Sequence, residues 1–306
     1  MTPIVLILGG SGRFGRHAAK AFETAGWEVR QFRRGTDTLW DAAWGAHVIV
    51  NAWNMPPNRW KQEALKAHES VIEVAQASGA TVIVPGNVYN FGADMPALLG
   101  AETPHNAKTP YGRIRTQIEA AYRTSGVRTI ILRAGDFLDD EPSGNWFDEV
   151  MAKTLPKGRL TYPGSLDVPH AWAFLPDMAR AAVALAERRD TLPAFADIPY
   201  AGLTFTGAEL AAAISRAAGR EITVKPMSWA AIRLLQPVWP LARYLVSMRY
   251  LWRVPHGLDP APLRALLPDH RDSSAEAALA AAIEHQIRPN GVVPGEADVA
   301  LGRGHV

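Results

Sequence analysis

The first residues in this chain whose types and spacing could do chemistry are Gly9-Gly10-Ser11-Gly12-Arg13-Phe14-Gly15, directly after the aliphatic run Ile4 to Leu8. An unbroken apolar run that stops at paired glycines reads as a buried parallel strand entering a tight turn. From Phe14 to Ala25 the pattern is helical, and Gly26 supplies a C-cap. Such a strand, loop and helix aim free backbone N–H groups and the positive end of a helix dipole at one point, which makes a site for a pyrophosphate. Gly9, Gly12 and Gly15 allow the turn, the approach of phosphates to the backbone, and close packing of helix on strand. The second strand, Trp27 to Phe32, ends in Arg33-Arg34. In a dinucleotide-binding unit an acid at that tip takes a ribose 2′-hydroxyl and an arginine takes a 2′-phosphate. With Arg33 and Arg34 at the tip and Glu28 at the strand's start, the pattern favours NADP over NAD. Arg13 is either a second contact to that phosphate or a solvated side chain.

The elements that must position these residues follow in a regular alternation. Ala46 to Val50 is a short strand leading into Asn51-Ala52-Trp53-Asn54, and Gln62 to Ser78 is a helix closed by Gly79. Thr81 to Val84 is a strand leading into Pro85-Gly86-Asn87-Val88-Tyr89, and a helix opens at Thr109-Pro110-Tyr111 and is closed by Gly126. Val127 to Leu132 then leads into Arg133-Ala134-Gly135-Asp136. Alternating strands and helices specify an α/β fold with a doubly wound parallel sheet of Rossmann type. Ligands of such sheets bind beyond the carboxyl ends of the strands, which collects the glycine loop, Arg33, Ala52, Trp53, Asn87 and Asp136 on one rim.

With 306 residues the chain is long enough for one large α/β unit or two unequal domains. The pattern divides it into a dinucleotide-binding part over residues 1–150, to which elements from 171–200 return, and a substrate-binding part of mixed α/β structure over 151–306. A formal net charge of +2 predicts no attraction to nucleic acid, and the absence of cysteine excludes disulfides, thiolate catalysis and Cys-ligated metals. No His, Asp and Glu fall at metal-ligand spacing. The first strand begins three residues into the sequence, which predicts no signal peptide and a cytoplasmic location.

Taken together, the glycine pattern, Val88-Tyr89, Pro110-Tyr111-Gly112 opening a helix, Leu132-Arg133-Ala134-Gly135 and Phe174-Leu175-Pro176-Asp177-Met178-Ala179-Arg180 resemble the extended short-chain dehydrogenase/reductases, the group of NAD-dependent nucleotide-sugar epimerases and dehydratases. The resemblance covers most of the chain. It implies a tyrosine, a lysine four residues later, and a serine or threonine four residues before the tyrosine of the Val-Tyr pair. The tyrosine is kept as Tyr111, while Arg115 stands at the lysine position and Pro85 at the serine position, which makes the chain an atypical member. A phenol of pKa about 10 shuttles a proton near neutrality only beside a cation, and Arg115 lies one helical turn from Tyr111. The guanidinium could also hold the nicotinamide ribose. Asn87 is the side-chain donor left in the Pro85 to Asn87 turn and could polarise a carbonyl. The resemblance further implies that His170 and Trp172 lie near a substrate pocket, and that dimerisation uses the helix opening at Tyr111.

The last third is less regular. Trp146 to Leu155 reads as a helix and Leu160 to Asp167 as a loop or short strand over the cofactor. Trp229 to Trp252 combines three tryptophans with Arg233, Arg243 and Arg249, broken by Pro237 and Pro240. It is too charged and broken to span a bilayer, and reads as a lid or oligomer contact, with a membrane-surface segment as the alternative. Helices are expected over 260–268 and 274–283, then an irregular end. The functional reading is an NADP(H)-dependent oxidoreductase acting on a small-molecule carbonyl or alcohol, with Tyr111 as proton donor. The alternatives are a nucleotide-sugar epimerase or dehydratase, and a catalytically silent NADP-binding regulator or redox sensor.

Overall fold

The computed structural model describes residues 2–287, so the expected irregular C-terminal end lies outside the described residues. Six parallel strands form the main sheet: Ile4–Leu8 (β1), Glu28–Gln31 (β2), Val48–Asn51 (β3), Thr81–Gly86 (β4), Thr129–Arg133 (β5) and Phe195–Pro199 (β6). Their order across the sheet is β6-β5-β4-β3-β1-β2, so the chain starts one strand in from an edge, adds that edge strand, and then crosses back to build the other four in succession.

Strand period explains why β1 is apolar throughout. Val5 and Ile7 point to one face, where they meet Phe14, Ala18 and Phe22 of the helix Arg13–Thr24 (α1). Leu6 and Leu8 point to the other, against Val71 and Ala75 of Leu65–Ser78 (α2) and Ile118 and Tyr122 of Pro110–Thr124 (α3). Val5, Leu6, Ile7 and Leu8 are all fully buried, worth about 2 kcal/mol each. Leu175–Glu187 (α4) packs Met178, Ala182 and Leu185 beside α1, with Pro176 in its first turn.

Gly207–Ala218 (α5) builds a separate core with the C-terminal helix, and its start is fixed by a capping box between Thr206 and Glu209. Pro240–Met248 (α6) and Ala275–Ile287 (α7) complete that part, whose centre holds Phe147, Leu160, Trp172, Ile214, Trp252 and Leu279. The expected helix at Trp146 is only a π-helical turn, Phe147–Ala152, because Phe147 and Met151 are drawn into this core. Arg159–Tyr162 pairs with Thr223–Pro226, and the Tyr162 ring stands edge-on to Trp252 with centres 5.8 Å apart, so this strand packs inside the C-terminal part.

One detail of register shapes the site. Pairing of β4 with β3 ends at Val50↔Ile83, while pairing with β5 continues to Gly86↔Arg133. Pro85, which has no N–H to donate, therefore sits where only the β5 side of β4 is paired. The sheet splits there, and the split opens a cleft.

Candidate active site

The carboxyl ends of β2, β1, β3, β4 and β5 line up along a cleft of about 1770 Å³. Its construction starts at the glycine turn. Gly9 takes φ +80°, and a Cβ there would come 2.8 Å from the Ala52 carbonyl oxygen. At Gly15 a Cβ would lie 2.0 Å from the Gly9 oxygen, so α1 can close on the turn only with glycine there. Gly12 N–H donates to Gly9 O at 2.8 Å, and α1 begins with no side-chain cap and no acid in its first turn. Its first N–H groups therefore have no side-chain acceptor, which is the arrangement an anionic phosphate fits.

Beside it, Arg33 and Arg34 line the cleft at the end of β2. Trp53 stands edge-on to Phe32 at 5.4 Å, with the Arg34 guanidinium 5.4 Å from its ring centre. Phe14 and Ala52 also belong to the wall. An acid not weighed in the sequence, Asp37, is here too, and its Oδ2 accepts from Arg33 N–H at 2.7 Å. Arg13 turns away from this end: its Nε donates to Ser143 O at 3.1 Å and its Nη2 to Gly144 O, tying the glycine loop to the facing loop.

At the β4 tip, Asn87 Oδ1 accepts from Tyr89 N–H at 3.0 Å, leaving the amide NH2 as its donor. The Asn87 carbonyl accepts from Arg133 Nη1 at 2.5 Å. Arg133 is fully buried between two carboxylates, with Nη2 2.6 Å from both Glu119 Oε2 and Asp197 Oδ2, Nη1 3.2 Å from Glu119 Oε1 and Nε 3.1 Å from Asp197 Oδ1. One guanidinium thus fastens α3, β5, β6 and the Asn87 turn together. An arginine closing an aliphatic strand signals a need for buried acids, but nothing in spacing identifies which.

Tyr111, the tyrosine expected to react, lies beside the phenols of the cleft. Tyr111 does not line the cleft; its ring is edge-on to Tyr244 at 4.8 Å and Trp60 at 5.8 Å. Burial raises its pKa, with Arg243 as the opposing charge and not Arg115. The phenols in the cleft are Tyr89 and Tyr244, whose hydroxyls lie 2.7 Å apart. Gly112 is why α3 reaches them: a Cβ there would lie 2.4 Å from the Tyr89 carbonyl oxygen. Tyr244 comes from α6, and no local signal ties it to Tyr89.

Arg115 lines the cleft half-buried, its guanidinium 5.2 Å from the Trp60 ring centre and its buried Nε without a hydrogen-bond partner among the described residues. Burial drives the Tyr89 and Tyr244 pKa values upward, Tyr244 to about 12, while the Arg115 charge pulls both back. Behind Arg115, His68 is held down to about 3 by burial and by the same cation. It stays a neutral partner of Asn51 and Tyr122, 3.0 and 3.1 Å away.

Beyond the phenols, Asp136 Oδ2 meets His170 Nε2 at 2.9 Å, and the His170 ring stacks on Trp252 at 4.0 Å. His256 packs edge-on to His170 at 4.5 Å, and burial first, then His170, lowers its pKa to about 3. Asp136, His170 and His256 all line the cleft. Trp172 lies behind them, fully buried.

The molecule is thus a doubly wound α/β protein with a glycine-turn cleft of dinucleotide-binding type. No protein-family model and no curated protein sequence matches the chain. Solved structures do share its fold. MoeE5 in complex with UDP-glucose and NAD matches with a TM-score of 0.70 at 16% identity, over 94% of this chain and 99% of that one. A nucleoside-diphosphate-sugar epimerase from Pseudomonas aeruginosa matches at 0.71 and 17%, over 95% and 99%. Human epimerase family protein SDR39U1 (isoform 2) with NADPH matches at 0.68 and 19%, over 93% and 99%. At these identities what the chain shares with the three structures is the fold.

Proposed function

We propose that the protein is an NADP(H)-dependent oxidoreductase acting on the carbonyl or alcohol of a small molecule. The observation that carries this reading is a half-buried Arg115 in one cleft with two hydrogen-bonded phenols and an uncapped glycine turn. The residues fit the cofactor: Gly9 and Gly15 leave room no side chain could share, the α1 N-terminus would take the pyrophosphate, and Arg33 and Arg34 would take a 2′-phosphate. Asp37 is the residue that would instead favour NAD, but its carboxylate is already engaged by Arg33 N–H. When bound, the nicotinamide supplies or receives the hydride.

The chain's own part is proton handling and orientation. The Asn87 amide donates to the substrate carbonyl oxygen and favours the charge that develops on it. As the carbonyl is reduced, a Tyr89 or Tyr244 proton passes to that oxygen, and Arg115 stabilises the phenolate left behind. Tyr111 supports the ring of Tyr244, which replaces its expected role as the donor. Arg115 also lies within the wall that would hold the nicotinamide ribose.

The epimerase or dehydratase reading draws on the fold neighbours, of which MoeE5 is in complex with UDP-glucose and NAD. Binding of a UDP-sugar would favour it.

The test uses NADPH deuterated at the transferable C4 position, a soluble metabolite extract, and mass spectrometry of products gaining one deuterium. Label is expected with the unmutated protein and with Tyr111→Phe, and a drop of about 10²-fold or more when Tyr89→Phe and Tyr244→Phe are combined. Loss of label with Tyr111→Phe alone would return the donor role to Tyr111. Absence of label despite NADPH binding would favour a regulatory or redox-sensing protein.

A further inference from the structure

From Ile222 to Leu258 the chain contains Lys225, Arg233, Arg243, Arg249 and Arg253 and no Asp or Glu. Within this stretch the structure exposes large apolar side chains together: Leu234 is 81% and Val238 80% accessible, with Leu235, Trp239 and Leu241 between 37% and 44%. They occupy the helix Trp229–Leu235, the proline-bounded turn after it and the start of α6. Arg233, Arg243 and Arg253 are exposed around them, and none of these arginines, nor Arg249, forms an ion pair among the described residues. Arginines elsewhere in the molecule, such as Arg16, Arg59, Arg133 and Arg180, do meet carboxylates.

The segment is anchored from beneath. Trp229 is buried with its Nε1 donating to Pro163 O at 2.7 Å, and Trp252 is buried against His170. The exposed apolar residues are therefore presented by a fixed base. Trp239 and Leu241 also line the mouth of the cleft that holds Tyr244.

We infer that this patch is a docking surface for an anionic phospholipid bilayer, which the protein touches with the cleft mouth facing the lipid. A solvent-exposed apolar tip flanked by arginines that meet no carboxylate matches the boundary between acyl chains and acidic headgroups. A second copy of the chain fits less well, since an isologous contact would set these arginines against their own counterparts. Neither helix is long enough to insert across the bilayer, and no helix among the described residues is long and apolar enough to cross a membrane. Docking in this orientation gives apolar or lipid-borne substrates a direct route from the acyl layer to the cleft.

The proposal is tested on the full chain without cofactor, so its outcome is independent of the oxidoreductase reading. The purified protein is sedimented with vesicles of phosphatidylcholine alone or mixed with phosphatidylglycerol, at low salt. Binding is expected only with phosphatidylglycerol present, accompanied by a blue shift of tryptophan emission. Arg233→Gln and Arg243→Gln should each weaken partitioning about fivefold, and Leu234→Ser with Val238→Ser should weaken it at least as much. Lys20→Gln, an exposed basic residue on α1, serves as the control and should change it less than twofold. All variants lie at exposed positions, and far-UV circular dichroism confirms their folding. No sedimentation with anionic vesicles, equal sedimentation with neutral ones, or equal weakening by Lys20→Gln would overturn the proposal. So would a concentration-dependent dimer in analytical ultracentrifugation that Leu234→Ser dissolves.

Discussion

Replacing Arg133 by Met removes one guanidinium and leaves Glu119 and Asp197 facing each other, both almost wholly out of water. Methionine fills a similar volume, so the cost is electrostatic more than a packing loss. Stripping the partner from a buried ion pair costs about 3–5 kcal/mol. At about 2–4 °C per kcal/mol, the thermal midpoint should fall by roughly 10 °C at pH 8. The sign of the pH dependence makes the argument testable. Without the cation, burial and mutual repulsion raise the folded-state pKa of both acids above their unfolded values. Stability from such groups is present when they are protonated and is lost as pH rises through the raised values. The gap between variant and parent should therefore narrow from pH 8 to pH 5. Glu119→Gln, which leaves Arg133 paired with Asp197, should cost less. Thermal unfolding followed by circular dichroism at the two pH values is the assay. A deficit under 1 kcal/mol, or one that does not change with pH, would refute the reasoning. Because Arg133 also holds the Asn87 carbonyl, the variant should lose turnover at temperatures where it remains folded.

The remaining expectations concern the cofactor and acid stability. Arg34→Gln should raise the KM for NADPH by about 10- to 100-fold through lost charge-assisted bonds while leaving that for NADH nearly unchanged, and steady-state kinetics with both cofactors would show it. His68 and His256, held at about 3 in the fold against about 6.5 unfolded, contribute stability above pH 6.5 that is lost as pH falls. At pH 5 the loss is about 2 kcal/mol for each. His68→Gln should flatten the fall in urea midpoint between pH 7.5 and pH 5, and an equal fall in parent and variant would count against this account.

How much of this was legible in the sequence depended on distance along the chain. The glycine turn was readable because strand, loop and helix lie within the first 25 residues and each glycine answers a local steric need. The parallel sheet was readable because β1 is apolar on both faces. Asp37 carries a local signal as well, an acid four residues after Arg33. Tyr111 and Arg115 share a helix face by spacing, but spacing does not say where a long side chain ends. Arg115 is directed by Trp60 and by the phenols, and Tyr244 reaches the site from 155 residues beyond Tyr89. Likewise Asp136 and His170 meet only because two strands outside the main sheet lie side by side in register.

The late origin of Tyr244 separates the two capacities of the cleft in time as well as in sequence. A nascent chain emerged through Pro199 contains every strand of the main sheet, the glycine turn and both tip arginines, yet lacks one of the two phenols. On the function proposed above, the residues that would hold the dinucleotide are therefore all synthesised before the pair of phenols is complete, so cofactor binding and proton transfer are encoded in separate stretches of one chain.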